Sequence, residues 1–102
     1  TVVFDEVDSG IGGAVADAVG LRLARLADAM QVLVITHSPQ VAARAVQHMV
    51  VAKAESKGAA RTGVTVLADE ERREEIARML SGARITDEAR AAADSLMDAD
   101  GA

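Results

Sequence analysis

T-V-V-F-D-E-V-D-S-G-I-G-G, residues 1–13, and V-L-V-I-T-H-S-P-Q-V-A, residues 32–42, are the two stretches whose reading decides the fold. Thr1 to Phe4 is an apolar, β-branched run that stops at the acidic pair Asp5-Glu6. Val32-Leu33-Val34-Ile35 has no polar alternation, the pattern of a parallel strand covered on both faces. Between them, after the glycine-rich turn Ser9 to Gly13, the spacing predicts a helix over roughly Ala14 to Ala29. Val15, Val19, Leu23, Leu26 and Met30 recur there at steps of three and four and form one apolar face. Strand, helix and strand at these lengths make a βαβ unit, and its crossover is expected to be right-handed.

Outward from that unit the chain continues in short pieces. Ser38 can cap and Pro39 suits a first helical position, so Gln40 to Ala45 reads as a short helix. His48 to Ala54 and Gly63 to Ala68 read as two strands joined by a polar loop, Glu55 to Thr62, in a hairpin. A helix over Glu70 to Leu80 gathers Ile76, Met79 and Leu80, and Ser81-Gly82 stops it. Its charges, Glu70 to Arg78, read as a solvated face. Thr86 caps a last helix with Asp87 and Glu88 in its first turn, where acids are favourable. That helix presents Ala89, Ala92, Ala93, Leu96 and Met97 ahead of an acidic tail.

Composition narrows the possible functions. With 102 residues the chain is at most one small domain. Half of it is hydrophobic, but Phe4 is the sole aromatic, so the core must be aliphatic and alanine-rich. The absence of cysteine excludes disulfides and thiolate metal sites, which suits the cytosol. No apolar run is long enough to cross a bilayer, so no membrane partner is expected. The net charge of −5 argues against a nucleic-acid surface, which needs clustered Lys and Arg. An apolar strand opening at Thr1, with no cap or leader, is expected of a chain cut from something longer.

Chemistry is most legible at the two strand ends. In nucleotide triphosphatases an acid at the C-terminal end of a strand holds Mg²⁺ beside the phosphates. A second acid directly after it points elsewhere and can orient or deprotonate water. Asp5 and Glu6 have that placement, although an acidic turn after a strand is the plainer alternative. His37 lies just past the next strand and could face the same ligand, donating to a γ-phosphate oxygen; a loop-capping histidine is the alternative. The glycines do not make a dinucleotide fingerprint, because Gly10 and Gly12 are followed by Val15 where a third small residue is needed. No G-x-x-x-x-G-K-[ST] loop occurs, so the chain has no phosphate cradle of its own. His48, without nearby ligands, reads as structural.

These residues resemble the RecN family of DNA-repair proteins, built like the chromosome-maintenance ATPases. Thr1 to Gly13 looks like the family's Walker B strand and D-loop, and Val32 to Ala42 like its switch-histidine segment. A-R-M-L-S-G, Ala77 to Gly82, is similar to its closing helices. The resemblance implies an α/β fold, the C-terminal part of an ABC-type P-loop NTPase head, spanning residues 1–102: a βαβ core, then a hairpin and two helices. It implies ATP and Mg²⁺ as ligands, Asp5 acting on Mg²⁺, Glu6 as catalytic base and His37 as γ-phosphate sensor. Ser9 and Gly10 would belong to the D-loop, which meets the opposite head; related heads often carry an Asp where this chain has Gly12. The implied partners are the upstream half of the same head, a second head subunit in a homodimer, and DNA through other parts of the full-length protein. The family's Walker A loop, signature motif and coiled coil are expected upstream, and the segment alone is expected to be inactive. Two other readings stay open: a head of another chromosome-maintenance ATPase, and a non-enzymatic module whose Asp-Glu turn binds a partner.

Overall fold

The computed structural model describes residues 1–82 and 84–98. Strand β1 (Val2–Asp5) pairs in parallel with β2 (Val32–Ile35), with Val2 opposite Val32 and Asp5 opposite Ile35. Backbone bonds close the pair at both ends: Val2 N–H donates to Gln31 O at 2.9 Å and Glu6 N–H to Ile35 O at 2.7 Å. Helix α1 (Gly13–Leu26) makes the connection, as the apolar spacing predicts, though it ends three residues before the predicted Ala29. The acid pair and the Thr-His pair therefore leave the sheet along one edge.

Two expectations about this unit are corrected. The Val32–Ile35 run is not covered on both sides: Val32 and Val34 are half-buried, whereas Leu33 and Ile35 are exposed. Only two strands pair here, and among the described residues the face bearing Val3, Leu33 and Ile35 is left exposed. The buried seam of α1 is also not the predicted Val15-to-Met30 stripe, whose two end members are exposed; it is Ala16 and Gly20. The short helix α2 (Pro39–Ala42) decides this. A Cβ at Gly20 would stand 3.1 Å from Gln40 O and 3.2 Å from Val41 Cα, so the missing side chain lets the two helices meet at backbone distance.

Pro39 occupies the first turn of α2, as expected, but the helix stops at Ala42 rather than Ala45. Ser38 stands at the N-cap without capping through its side chain, because its hydroxyl donates to Gln40 Oε1 instead. The hairpin is longer and its turn tighter than the sequence suggests. β3 (Met49–Ser56) and β4 (Ala59–Val66) pair antiparallel through all eight positions. The predicted polar loop Glu55 to Thr62 is mostly strand, closed by Lys57 and Gly58. Both turn residues have positive φ (53° and 78°), which is what a two-residue primed turn requires, so a polar composition is compatible with pairing.

The last two helices hold the core. Helix α3 (Asp69–Ser81) and α4 (Asp87–Asp98) enclose Ile76, Ala77, Ala89 and Ala93, joined by Ala43 and flanked by Leu80, Ile85, Leu96 and Met97. This is the aliphatic, alanine-rich core that the composition requires, except that Ala92 faces out. Gly82, at φ 80°, ends α3, and Thr86 Oγ1 accepts from Ala89 N–H at 3.1 Å to cap α4. The charges of α3 are more than a solvated face. Glu74 bonds Arg90 and Arg73 bonds Asp94, each at 2.9 Å, tying α3 to α4. Arg72 donates to the Ala42 and Ala43 carbonyls, tying α3 to α2. His48, just before β3, is half-buried; desolvation, then the charge of Arg72, lowers its pKa. The acidic tail beyond Asp98 lies outside the described residues. Among the described residues, no helix is long and apolar enough to cross a membrane.

Candidate functional site

The parallel pairing sets the site. β1 ends at Asp5 and the chain turns at once, with Glu6 in the left-handed region at φ 51°. That turn separates the two acids: Asp5 stays in the strand, on the exposed face with Val3, and Glu6 swings toward the end of β2. There His37 Nε2 donates to Glu6 Oε1 at 2.8 Å. The imidazole is 92% exposed and the Glu6 side chain 43%, so both can meet a ligand.

A loop of short bonds follows. Ser9 N–H donates to Glu6 O at 3.1 Å, and Ile11 N–H to Asp8 O. Gly10 takes φ 79°, a conformation that strains any residue with a Cβ. Glu6, Asp8, Ser9, Gly10, His37 and Ser38 line an open cleft of about 230 Å³. Four of the five candidate residues read from the sequence thus share one cleft: Glu6, Ser9, Gly10 and His37. Asp5 stands at the same strand end but does not line it.

Sequence reasoning missed Asp8 and Thr36. Asp8 is only 6% exposed, and its Oδ2 accepts from Thr36 Oγ1 at 2.5 Å. Thr36 Oγ1 in turn accepts from Ser38 N–H at 2.9 Å. The available signal was the type of residue: an Asp two places beyond a candidate base and a hydroxyl immediately before a candidate histidine.

The donor set suits oxygen-loving cations. Asp5 and Glu6 place carboxylate oxygens at one strand end, and Asp5 has no protein partner among the described residues. No group of three or more His, Asp or Glu that could hold a metal occurs among those residues.

Parallel strands ending in these loops, followed by a hairpin and a helical pair, form an α/β arrangement that recurs in a known fold. A solved structure, from work on the ATP-driven dimerization and DNA-stimulated activation of SMC ATPases, matches with a TM-score of 0.59 and 18% identity, over 80% of this chain and 48% of that one. No family model matches the sequence. Among curated proteins, the DNA repair protein RecN of Xylella fastidiosa is 52% identical over 97 residues, which is 95% of this chain and 17% of that protein. RecN of Deinococcus radiodurans is 58% identical over 82 residues, 80% of this chain and 14% of that protein. RecN of Mycobacterium leprae is 52% identical over 99 residues, 97% and 16%. The chain belongs to the RecN family, and it spans about a sixth of the length of the curated relatives it matches.

Proposed function

We propose that residues 1–102 are the C-terminal part of one head of a longer SMC-like ATPase, acting in recombinational repair of DNA double-strand breaks. The observation that carries this reading is the Glu6–His37 contact of 2.8 Å across the ends of adjacent parallel strands. Each relative named above is a DNA repair protein, and the solved neighbour comes from work on SMC ATPases. In this reading ATP lies over the cleft between two heads of a homodimer. The rest of each chain supplies the phosphate-binding loop and the signature motif. DNA is met by other parts of the full-length protein, since this segment is acidic. The setting is the cytoplasm, at the nucleoid.

The residues divide the work by position. Asp5, at the end of β1, would hold Mg²⁺, which would neutralise charge developing on the phosphates. Glu6 takes the proton of the attacking water; its exposed carboxylate is within reach of the cleft. His37 loses its bond to Glu6 when a γ-phosphate arrives and donates to that group instead. Ser9 and Gly10 present the loop that meets the second head.

Glu6→Gln in the complete protein tests the reading. It keeps shape and hydrogen bonding but removes the base, so ATP still binds while turnover falls by roughly 10²–10⁴ and ATP-held dimers accumulate. His37→Ala slows turnover less, with a mild loss of ATP binding. Steady-state hydrolysis, nucleotide binding and light scattering on each variant give the answer; undiminished turnover in both would return these residues to a structural role. The 102-residue chain alone should bind no ATP in the micromolar range by calorimetry, for want of a phosphate cradle.

A further inference from the structure

Among the described residues, Asp8 is the one polar or charged residue that is buried, at 6% exposure. A carboxylate out of water is costly unless it is bonded, so its partner identifies what the burial achieves. That partner is Thr36 Oγ1, whose hydroxyl donates to Asp8 Oδ2 at 2.5 Å. With its proton given to Asp8, the same hydroxyl oxygen accepts from Ser38 N–H at 2.9 Å. Thr36 and Ser38 flank His37, so the backbone on both sides of the imidazole is tied to a single oxygen. Asp8 holds that oxygen from the other loop, two residues beyond Glu6 and within the turn made by Ser9 N–H to Glu6 O.

We propose that Asp8 is a positioning residue: its carboxylate, acting through Thr36, clamps the loop of His37 to the loop of Glu6 and sets the two side chains at the separation that hydrolysis uses. The inference rests on the ATPase reading above. Among the described residues, His37 and Glu6 are themselves exposed, and their side chains form one ion pair, with each other. Their own packing cannot fix the spacing. The strand pairing brings the two loops to one edge but leaves the residues past Asp5 and Ile35 free of ladder bonds, apart from Glu6 N–H to Ile35 O. Beyond that point the loops are joined by the exposed Glu6–His37 bond and, in the buried layer beneath it, by the Asp8–Thr36–Ser38 chain.

The test compares Asp8→Ala, Asp8→Asn and Thr36→Val in the complete protein, with Glu6→Gln beside them. Asp8→Ala and Thr36→Val should each lower kcat by roughly 10- to 100-fold, the cost of displacing a reacting group by about 1 Å, while KM for ATP changes little. Asp8→Asn keeps an acceptor oxygen for the Thr36 hydroxyl and should recover most of kcat. The double variant Asp8→Ala/Thr36→Val should be no slower than the worse single variant, because both remove one bond. Hydrogen exchange gives a readout independent of turnover: the segment holding the Ser38 amide should exchange faster in Asp8→Ala. Three outcomes overturn the proposal: Asp8→Asn as slow as Asp8→Ala, additive losses in the double variant, or kcat and folded fraction falling in proportion. Loss of turnover in Glu6→Gln with normal kcat in Asp8→Ala sinks the positioning role alone. Full turnover in Glu6→Gln sinks the reading beneath it.

Discussion

The helical pair α3–α4 and the strand pair β1–β2 solve opposite problems. The helices bury Ile76, Ala77 and Ala93 completely, and charges from one helix reach across to the other. Their contacts are closed within the chain. The strands and the loops at their ends carry every candidate for chemistry, yet the strands leave Val3 56%, Leu33 41% and Ile35 48% exposed on one face. Isolated apolar residues on a surface are ordinary, but three neighbours on one sheet face form a patch. The contrast teaches that this segment is stabilised at one end and gathers its candidate functional residues at the other, where the structure is open. In the longer proteins of the family, we propose, residues outside this segment cover that face and complete the head.

Ile76→Ala should have the largest effect. It removes the one large side chain that is fully buried among the described residues, at a cost of about 2–5 kcal/mol, much of a small domain's stability. Urea melts of the 102-residue chain measure it; a loss below ~1 kcal/mol would mean that the helical pair does not hold the fold. Leu33→Thr sharpens the other side of the comparison. In the chain alone it should shift the midpoint by no more than about 0.5 kcal/mol, since an exposed side chain has little burial to lose. In the complete protein the same change should cost about 1.5–3 kcal/mol if the face becomes covered. Equal effects in both contexts would break the contrast. Mixing the chain with the rest of the head should likewise raise hydrogen-exchange protection in β1 and β2 but scarcely in α3 and α4.

A smaller effect belongs to His48, beside the helical pair. Burial and the Arg72 charge hold its folded pKa below the ordinary 6.5. The neutral imidazole is therefore favoured in the fold. Its contribution to stability is complete above about pH 6.5 and is lost as pH falls from there toward the folded value, because the unfolded chain takes up the proton first. Thermal melts between pH 8 and 5.5 should show a decline that is shallower in His48→Gln. Identical slopes would remove the histidine from the account.

These contrasts also explain how far the sequence could be read. Local rules recovered the ends of β1 and β2, the turn at Gly82 and the cap at Thr86, since each depends on a few consecutive residues. The cleft was partly legible for a topological reason: parallel strands joined by one helix end at the same edge, so Glu6 and His37 had to be near each other. Burial was harder. The Val15-to-Met30 stripe suggested the inner side of α1, but contact with α2 at Gly20 turned Ala16 and Gly20 inward, and no periodicity announces such a contact. The even apolarity of Val32 to Ile35 speaks of two covered faces, whereas this segment covers neither fully. Asp8 escaped because burial of a carboxylate depends on Thr36, 28 residues away.

The φ of 51° at Glu6 has a consequence for any attempt to improve the protein. A side chain in the left-handed region costs on the order of 1–2 kcal/mol, a strain that Gly escapes and Asn partly relieves. Glu6→Gly should therefore melt later than the parent, while Glu6→Gln should melt with it. A library selected only for heat resistance would drift away from a carboxylate at this position and, on the function proposed above, arrive at sturdier, inert proteins. Recovering the acid from such a background would require a second selection, for turnover, because the conformation that aims the carboxylate is one the backbone would otherwise abandon.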